Sequence, residues 1–157
     1  MIGIDAQINP EKETKPTAPD LLVDGLLAEL KTQETPFFTA QRYGIDPQYA
    51  VTFNQGDYLA YKKIIPEMDI YFMVDWQQLT YHHRSTGRNI TVAPLKSVYR
   101  VNFTKVASDI ESGRTPLHAY LRRVGDARNE THSFIFDLRT FQLVMDFTDR
   151  PELVVPQ

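Results

Sequence analysis

The sequence predicts an α/β fold, with a mixed central sheet, flanking helices and additional β-hairpins. An Asp24-Gly25 dipeptide lies between two apolar runs, an unbroken apolar strand follows a helical segment, and short strand-like runs recur as far as Leu138. The 157 residues, 42% of them apolar and 24% charged, suit one globular domain.

Asn9 to Pro19 is polar and rich in proline, and reads as an extended or irregular lead-in. Leu21 to Thr32 is a hairpin, because Asp-Gly is well suited to a two-residue turn whose central residues both take positive φ. After a loop come a short apolar piece at Ala50 to Phe53, a helix from about Gly56 to Ile65, and a strand from Asp69 to Trp76. Ile70 to Val74 leaves no polar face, so this strand should be buried on both sides, in the middle of a sheet covered by helices. Gln78 to His82, Ile90 to Val92, Ser97 to Phe103 and Ser133 to Leu138 are further strands. Thr104 to Ser112 is a helix closed by Gly113. Thr115-Pro116 then offers an N-cap and first-turn proline for a helix ending at Gly125, with Leu117, Tyr120, Leu121 and Val124 as its apolar stripe. Trp76, Phe134, Phe136 and Phe141 are read as core rather than as a platform for stacking bases.

Without cysteine the chain has no disulfide and no Cys-ligated zinc or iron–sulfur centre, and its four His are scattered. Any metal should be held by oxygen. No basic start is followed by an apolar block and no apolar run is long, so neither a secretory signal nor a membrane span is expected, and the protein is read as cytoplasmic. The net charge of -3 conceals an asymmetry: Tyr81 to Arg128 carries nine basic against three acidic residues, the rest eight against 17. A basic half joined to an acidic half suits a polyanion binder with a carboxylate site for divalent cations.

The informative segment is Pro19 to Lys31. With Asp24-Gly25 as the turn, Val23 pairs with Leu26, Leu22 with Leu27, Leu21 with Ala28, and Asp20 with Glu29. Strand side chains alternate, so Asp20, Leu22, Leu27, Glu29 and Lys31 share one face, while Leu21, Val23, Leu26, Ala28 and Leu30 form an apolar face that can anchor the hairpin. Carboxylates opposed at Cβ separations of roughly 5 Å repel, by about 3 kcal/mol at an effective dielectric near 20. A divalent cation such as Mg²⁺ would offset that repulsion, and Lys31 could stabilise charge building on a phosphate.

Pro19-Asp20, eight residues, then Glu29-Leu30-Lys31 resembles the signature of the PD-(D/E)XK nucleases, the restriction-endonuclease-like superfamily. The resemblance covers about 13 residues closely. It implies that Asp20, Glu29 and the backbone carbonyl of Leu30 bind Mg²⁺, with Mn²⁺ substituting, and that Lys31 is the catalytic lysine. It also implies a core over residues of about 15 to 80, in which a helix and two more strands follow the catalytic hairpin, and leaves about 81 to 150 for DNA binding and specificity. The family usually places a helix bearing a glutamate before the Asp strand. Only 19 residues precede Asp20, and Pro10 and Pro16 argue against a full helix, so Glu11 or Glu13 is the candidate for that acid.

Gln33, on the face of Lys31 if the strand continues, is a further catalytic candidate facing a phosphate or the attacking water. Arg84 and Arg88 on a hairpin tip, together with Lys62, Lys96 and Arg100, are the candidate DNA contacts. Adjacent His82 and His83 point to opposite faces of a strand and cannot readily share a cation. His118 reads as a surface residue of the second helix, and Arg122 and Arg123 suit its C-terminal dipole. The expected function is a site-specific endonuclease of restriction or homing type acting on double-stranded DNA as a homodimer or higher homo-oligomer, without a membrane partner. A structure-specific nuclease (junction resolvase or repair enzyme) and a non-catalytic nucleic-acid-binding domain are the rivals.

Overall fold

Strand β1 (Ala6–Ile8) runs antiparallel to β2 (Leu21–Val23), which turns through Asp24 and Gly25 into β3 (Leu26–Gln33). Both turn residues have positive φ, 50° and 80°, as an Asp-Gly hairpin requires. The computed structural model describes residues 5–64, 67–119 and 132–149. β4 (Ala50–Asn54) leads into helix α1 (Gln55–Ile64), followed by β5 (Asp69–Asp75), β6 (Thr80–His82), β7 (Asn89–Thr91) and β8 (Lys96–Asn102). Helix α2 (Phe103–Glu111), β9 (Leu117–Ala119), β10 (His132–Asp137) and β11 (Gln142–Asp146) complete the described elements.

A six-stranded sheet has the order β1-β2-β3-β5-β8-β11, beside a three-stranded sheet β4-β10-β9 and the β6-β7 hairpin. In the large sheet β3 and β5 are parallel and the other neighbours antiparallel, so it is mixed, as expected. The parallel step needs a crossover, and α1 lies on it. Ile70, Phe72 and Val74 of β5, with Tyr99 and Val101 of β8, meet Phe53, Phe134 and Phe136 of the small sheet and Tyr58, Phe103 and Val106 of the helices in the main core. The opposite face buries Val23, Ala28 and Tyr71 in a smaller cluster that Leu21, Leu30, Val98 and Val144 join. β5 is therefore covered on both sides, but both described α-helices pack into the core on one face only. On the other face the described residues place no α-helix, and Tyr71 packs with apolar side chains of neighbouring strands.

The expected helix from Thr115 is also corrected. Leu117 to Ala119 is a strand paired with Phe134 to His132 of β10, and the Pro116 carbonyl accepts from the Ile135 N–H at 3.0 Å. Proline tolerates the start of an edge strand as well as a first helical turn, because its missing N–H is unneeded in both. The rest of that stretch, with Tyr120, Leu121, Arg122, Arg123 and Val124, lies outside the described residues. The lead-in is more ordered than its composition suggests: Pro10–Glu13 is a 3-10 turn capped by Asn9, whose side chain accepts from the Glu11 N–H. Strands β1 and β11 were not anticipated. Both are short, and β11 carries an irregularity between Leu143 and Met145 that hides its alternation.

Candidate active site

The β2–β3 ladder pairs Val23 with Leu26, Leu22 with Leu27 and Leu21 with Ala28, which brings Asp20 beside Glu29. The two carboxyl groups are close enough that each shifts the proton affinity of the other. Glu29 is only 7% exposed, one of few buried charged or polar side chains among the described residues. Asp20 Oδ2 accepts the Leu30 N–H at 3.3 Å, and Oδ1 lies 2.8 Å from Lys12 Nζ. Lys12, carried by the 3-10 turn, also donates to the Ala18 carbonyl at 2.9 Å.

These surroundings push the two acids apart. Burial drives the Glu29 carboxyl above its usual range, with Asp20 adding to the rise and Tyr61 and Lys31 opposing it. Burial also works to raise Asp20, but hydrogen bonds from Lys12, Glu29 and the Leu30 N–H outweigh it and hold that carboxyl below its usual range. Two carboxyls in contact, one favouring its proton and one its charge, form a pair that titrates as a unit.

Lys31 sits two residues beyond Glu29 on the same face, which β5 continues with Ile70 and Phe72 and α1 covers. Its Nζ is 2.5 Å from Asp57 Oδ2 and 3.9 Å from Glu29 Oε1. The ammonium also stands 5.2 Å from the Tyr61 ring centroid and 5.8 Å from that of Phe53, within reach of cation–π attraction. Asp57 and Tyr61 are four residues apart on α1 and so face the hairpin together: one grips Lys31, the other brings its hydroxyl up to Glu29. Burial, and then the neighbouring carboxylates, raise the Tyr61 hydroxyl far above its usual range, so it keeps its proton.

Pro19 explains the state of the third oxygen. The ladder ends at Leu21 and Ala28; continued with the alternation of a two-residue hairpin, the next pair due to exchange both N–H···O bonds would be Pro19 with Leu30. Proline has no N–H, so the Leu30 carbonyl lacks its ladder donor. Leu30's own N–H turns to Asp20, and the Pro19 carbonyl accepts from Asn9 Nδ2 at 2.9 Å instead. The β2–β3 ladder thus ends just before Asp20 and Glu29. Among the described residues no group of three or more His, Asp or Glu side chains is placed to hold a metal ion; the donors here are two carboxyls and a carbonyl.

Gln33 is placed differently. Its Oε1 accepts from the Thr52 N–H at 3.1 Å and its Nε2 donates to the Thr35 carbonyl at 2.7 Å, so its amide ties β3 to the small sheet. The candidate DNA contacts do not share one surface. Lys62 pairs with Glu111 at 2.6 Å between the helices, and Arg100 pairs with Asp69 at 3.4 Å on the sheet face away from α1. Lys96 lies at the start of β8, opposite Asp75, while Arg84 and Arg88 lie between β6 and β7. His82 bonds Asn89 and His83 bonds Ser85, each on its own side of the hairpin. His118 is on β9 rather than a helix, its Nδ1 2.7 Å from the Tyr43 hydroxyl.

Sequence reasoning missed Lys12, Asp57 and Tyr61. The i, i+4 spacing of Asp57 and Tyr61 just after Phe53 was a usable signal; nothing local marked Lys12. Comparison of the chain with family models, curated proteins and solved structures gives no match.

Proposed function

We propose that the chain is a Mg²⁺-dependent endonuclease that hydrolyses phosphodiester bonds of double-stranded DNA. The observation that carries this reading is the meeting of Asp20, Glu29 and Lys31 on one hairpin face, next to a Leu30 carbonyl that Pro19 leaves without its ladder donor. The donors suit a hard cation: all are oxygen, and the two acids press on each other in a partly buried place. Asp20, Glu29 and Leu30 would hold Mg²⁺ or Mn²⁺, which supplies Lewis acidity and positive charge at the phosphate.

The chain's own groups do the rest. Asp57 and the rings of Phe53 and Tyr61 fix the Lys31 ammonium, ready to stabilise negative charge developing on phosphate oxygens. Tyr61 brings its hydroxyl up to the Glu29 carboxyl, and α1 screens that carboxyl from water. Lys12 neutralises Asp20, and would have to leave that oxygen for a cation to be held there. Glu11 and Glu13 do not join the acid pair; Lys12, between them in sequence, is the residue that reaches it.

Topology supports a restriction-endonuclease-like core, since the catalytic hairpin is followed by α1 and by β5, parallel to β3, and then β8. The β6–β7 hairpin beyond it suits site recognition, hence an enzyme of restriction or homing type. One such site cuts one strand, so double-strand cleavage takes a homodimer or higher oligomer. No described helix is long and apolar enough to cross a membrane.

The test is incubation of large duplex DNA with the protein and Mg²⁺ or Mn²⁺. The parent should give discrete fragments, and Lys31→Ala and Asp20→Asn should each cut slower by at least about two to three orders of magnitude. Variants that cut like the parent would refute the site. Cleavage of branched DNA alone would move the reading to a structure-specific nuclease.

A further inference from the structure

β3 and β5 run parallel, and the segments that leave their C-terminal ends form the walls of a second concavity. The Gln77 N–H donates to the Glu34 carbonyl at 2.8 Å, which keeps the two chains together past the ladder. Beyond that point Phe38, buried, stacks on Tyr81 with ring centroids 5.5 Å apart. The contact joins the segment around the 3-10 turn at Ala40–Tyr43 to the β6–β7 hairpin. Between them lies a cavity of about 500 Å³ lined by Arg42, Arg88, His83, Thr39, Ser85 and Thr86 among others, with no acidic residue in its wall.

The arginines of this wall differ from three others outside it. Arg100, Arg114 and Arg139 each pair with an aspartate. Arg42, Arg84 and Arg88 meet no carboxylate at ion-pair distance among the described residues, and Arg42 and Arg88 both line the cavity. The hairpin tip is held in shape: the His83 N–H donates to the Arg88 carbonyl at 2.9 Å, the Gly87 N–H to the His83 carbonyl at 2.8 Å, and Gly87 takes φ 68°. Two guanidinium groups without acidic partners, an imidazole and several hydroxyls around a fixed concavity are the donors that a phosphate group requires.

Location selects the source of the phosphate. Lys31 lies two residues before the end of β3, and the chain that leaves this end reaches the cavity wall at Phe38, five residues past Gln33. Resting on the nuclease reading, we infer that the cavity is a phosphate seat, in which Arg42 and Arg88 hold the backbone of the DNA strand beside the cleavage centre. It fixes the register of the duplex against Asp20, Glu29 and Lys31 and carries no sequence information itself.

The experiment measures binding of a labelled duplex by the full chain in chelator, where no cutting occurs, as a function of salt. Arg42→Ala and Arg88→Ala should each weaken binding about tenfold and flatten the slope of log K against log salt by about 1. Arg114→Ala, whose parent residue is paired to Asp109 outside the cavity, should leave both unchanged. Circular dichroism and melting of the variants should match the parent, since both arginines are exposed. Arg88→Lys should retain part of the affinity, so the readout follows charge rather than folding. Parent-like affinity and slope in both alanine variants overturn the inference. So does saturable binding of a mononucleotide or of inorganic phosphate that the variants lose while duplex affinity is unchanged, which would make the cavity a small-ligand site. If the arginine dependence is found but neither Mg²⁺ nor Mn²⁺ elicits cleavage, the phosphate seat stands and the nuclease reading falls.

Discussion

Glu29 is the residue at which stability and the proposed chemistry pull in opposite directions. Its carboxyl is buried, lies against another acid and is raised mainly by desolvation, so ionising it opposes folding. Glu29→Gln keeps the size and an acceptor for Tyr61 while removing the charge. In chelator the variant should therefore be more stable than the parent at pH 7, by about 1 kcal/mol, while its Mg²⁺-dependent cleavage falls by about 100-fold or more. Thermal melts and cleavage rates on the same preparations check this. A lower melting temperature would mean that Tyr61 and Lys31 already compensate the buried charge. Asp20, Glu29 and Lys31 were legible in the sequence because a two-residue turn and a period of two fix both register and face. Lys12 and Asp57 were not, because each reaches the hairpin through packing of a separate segment that no local pattern encodes.

At the scale of elements, β2 and β3 form a ladder with one rung deliberately incomplete. Pro19→Ala returns an N–H opposite the Leu30 carbonyl and lets the rung close. The variant should fold with stability within about 1 kcal/mol of the parent, yet bind Mg²⁺ several-fold more weakly, as isothermal titration would show. Unchanged affinity would remove Leu30 from the ligand set. β9 is the opposite case, since its sequence reads as a helix and pairing with β10 overrides that local preference. It is tied to the Ala40–Tyr43 turn through His118 and Tyr43, and burial, helped by the Arg42 cation, holds the His118 imidazole below its ordinary value of 6.5. The unfolded chain then takes up this proton before the folded one does. The contribution of His118 is complete above pH 6.5 and declines as pH falls through the lower, folded value. Melting temperature should thus drop from pH 7.5 to 5.5 more in the parent than in His118→Gln, by less than about 1 kcal/mol in stability. Equal slopes would show that His118 is proton-neutral to folding.

For the whole molecule, the basic surplus between Tyr81 and Arg128 read from the sequence is partly neutralised in space. Arg100 meets Asp69, Lys105 and Arg114 share Asp109, and Arg122, Arg123 and Arg128 lie outside the described residues. Linear charge counting therefore located the chemistry less well than strand register did, because ion pairs form between elements distant in sequence. The acidic side has a different balance. Among the described residues Asp20, Glu29 and Asp57 around the hairpin pair only with Lys12 and Lys31, and one of those ammonium groups occupies the oxygen that a cation would use. A ligand that binds the folded chain and not the unfolded one stabilises it by mass action, by about 2.7 kcal/mol at 100 times its dissociation constant. For a chain of this size that is a rise in melting temperature of roughly 5 to 10 °C. Mg²⁺ or Mn²⁺ should produce such a rise saturably, chelator should reverse it, and Asp20→Asn should abolish it, whereas a monovalent salt of equal ionic strength should leave the parent unmoved. A rise that persists in Asp20→Asn would place the cation elsewhere and detach the metal from the hairpin.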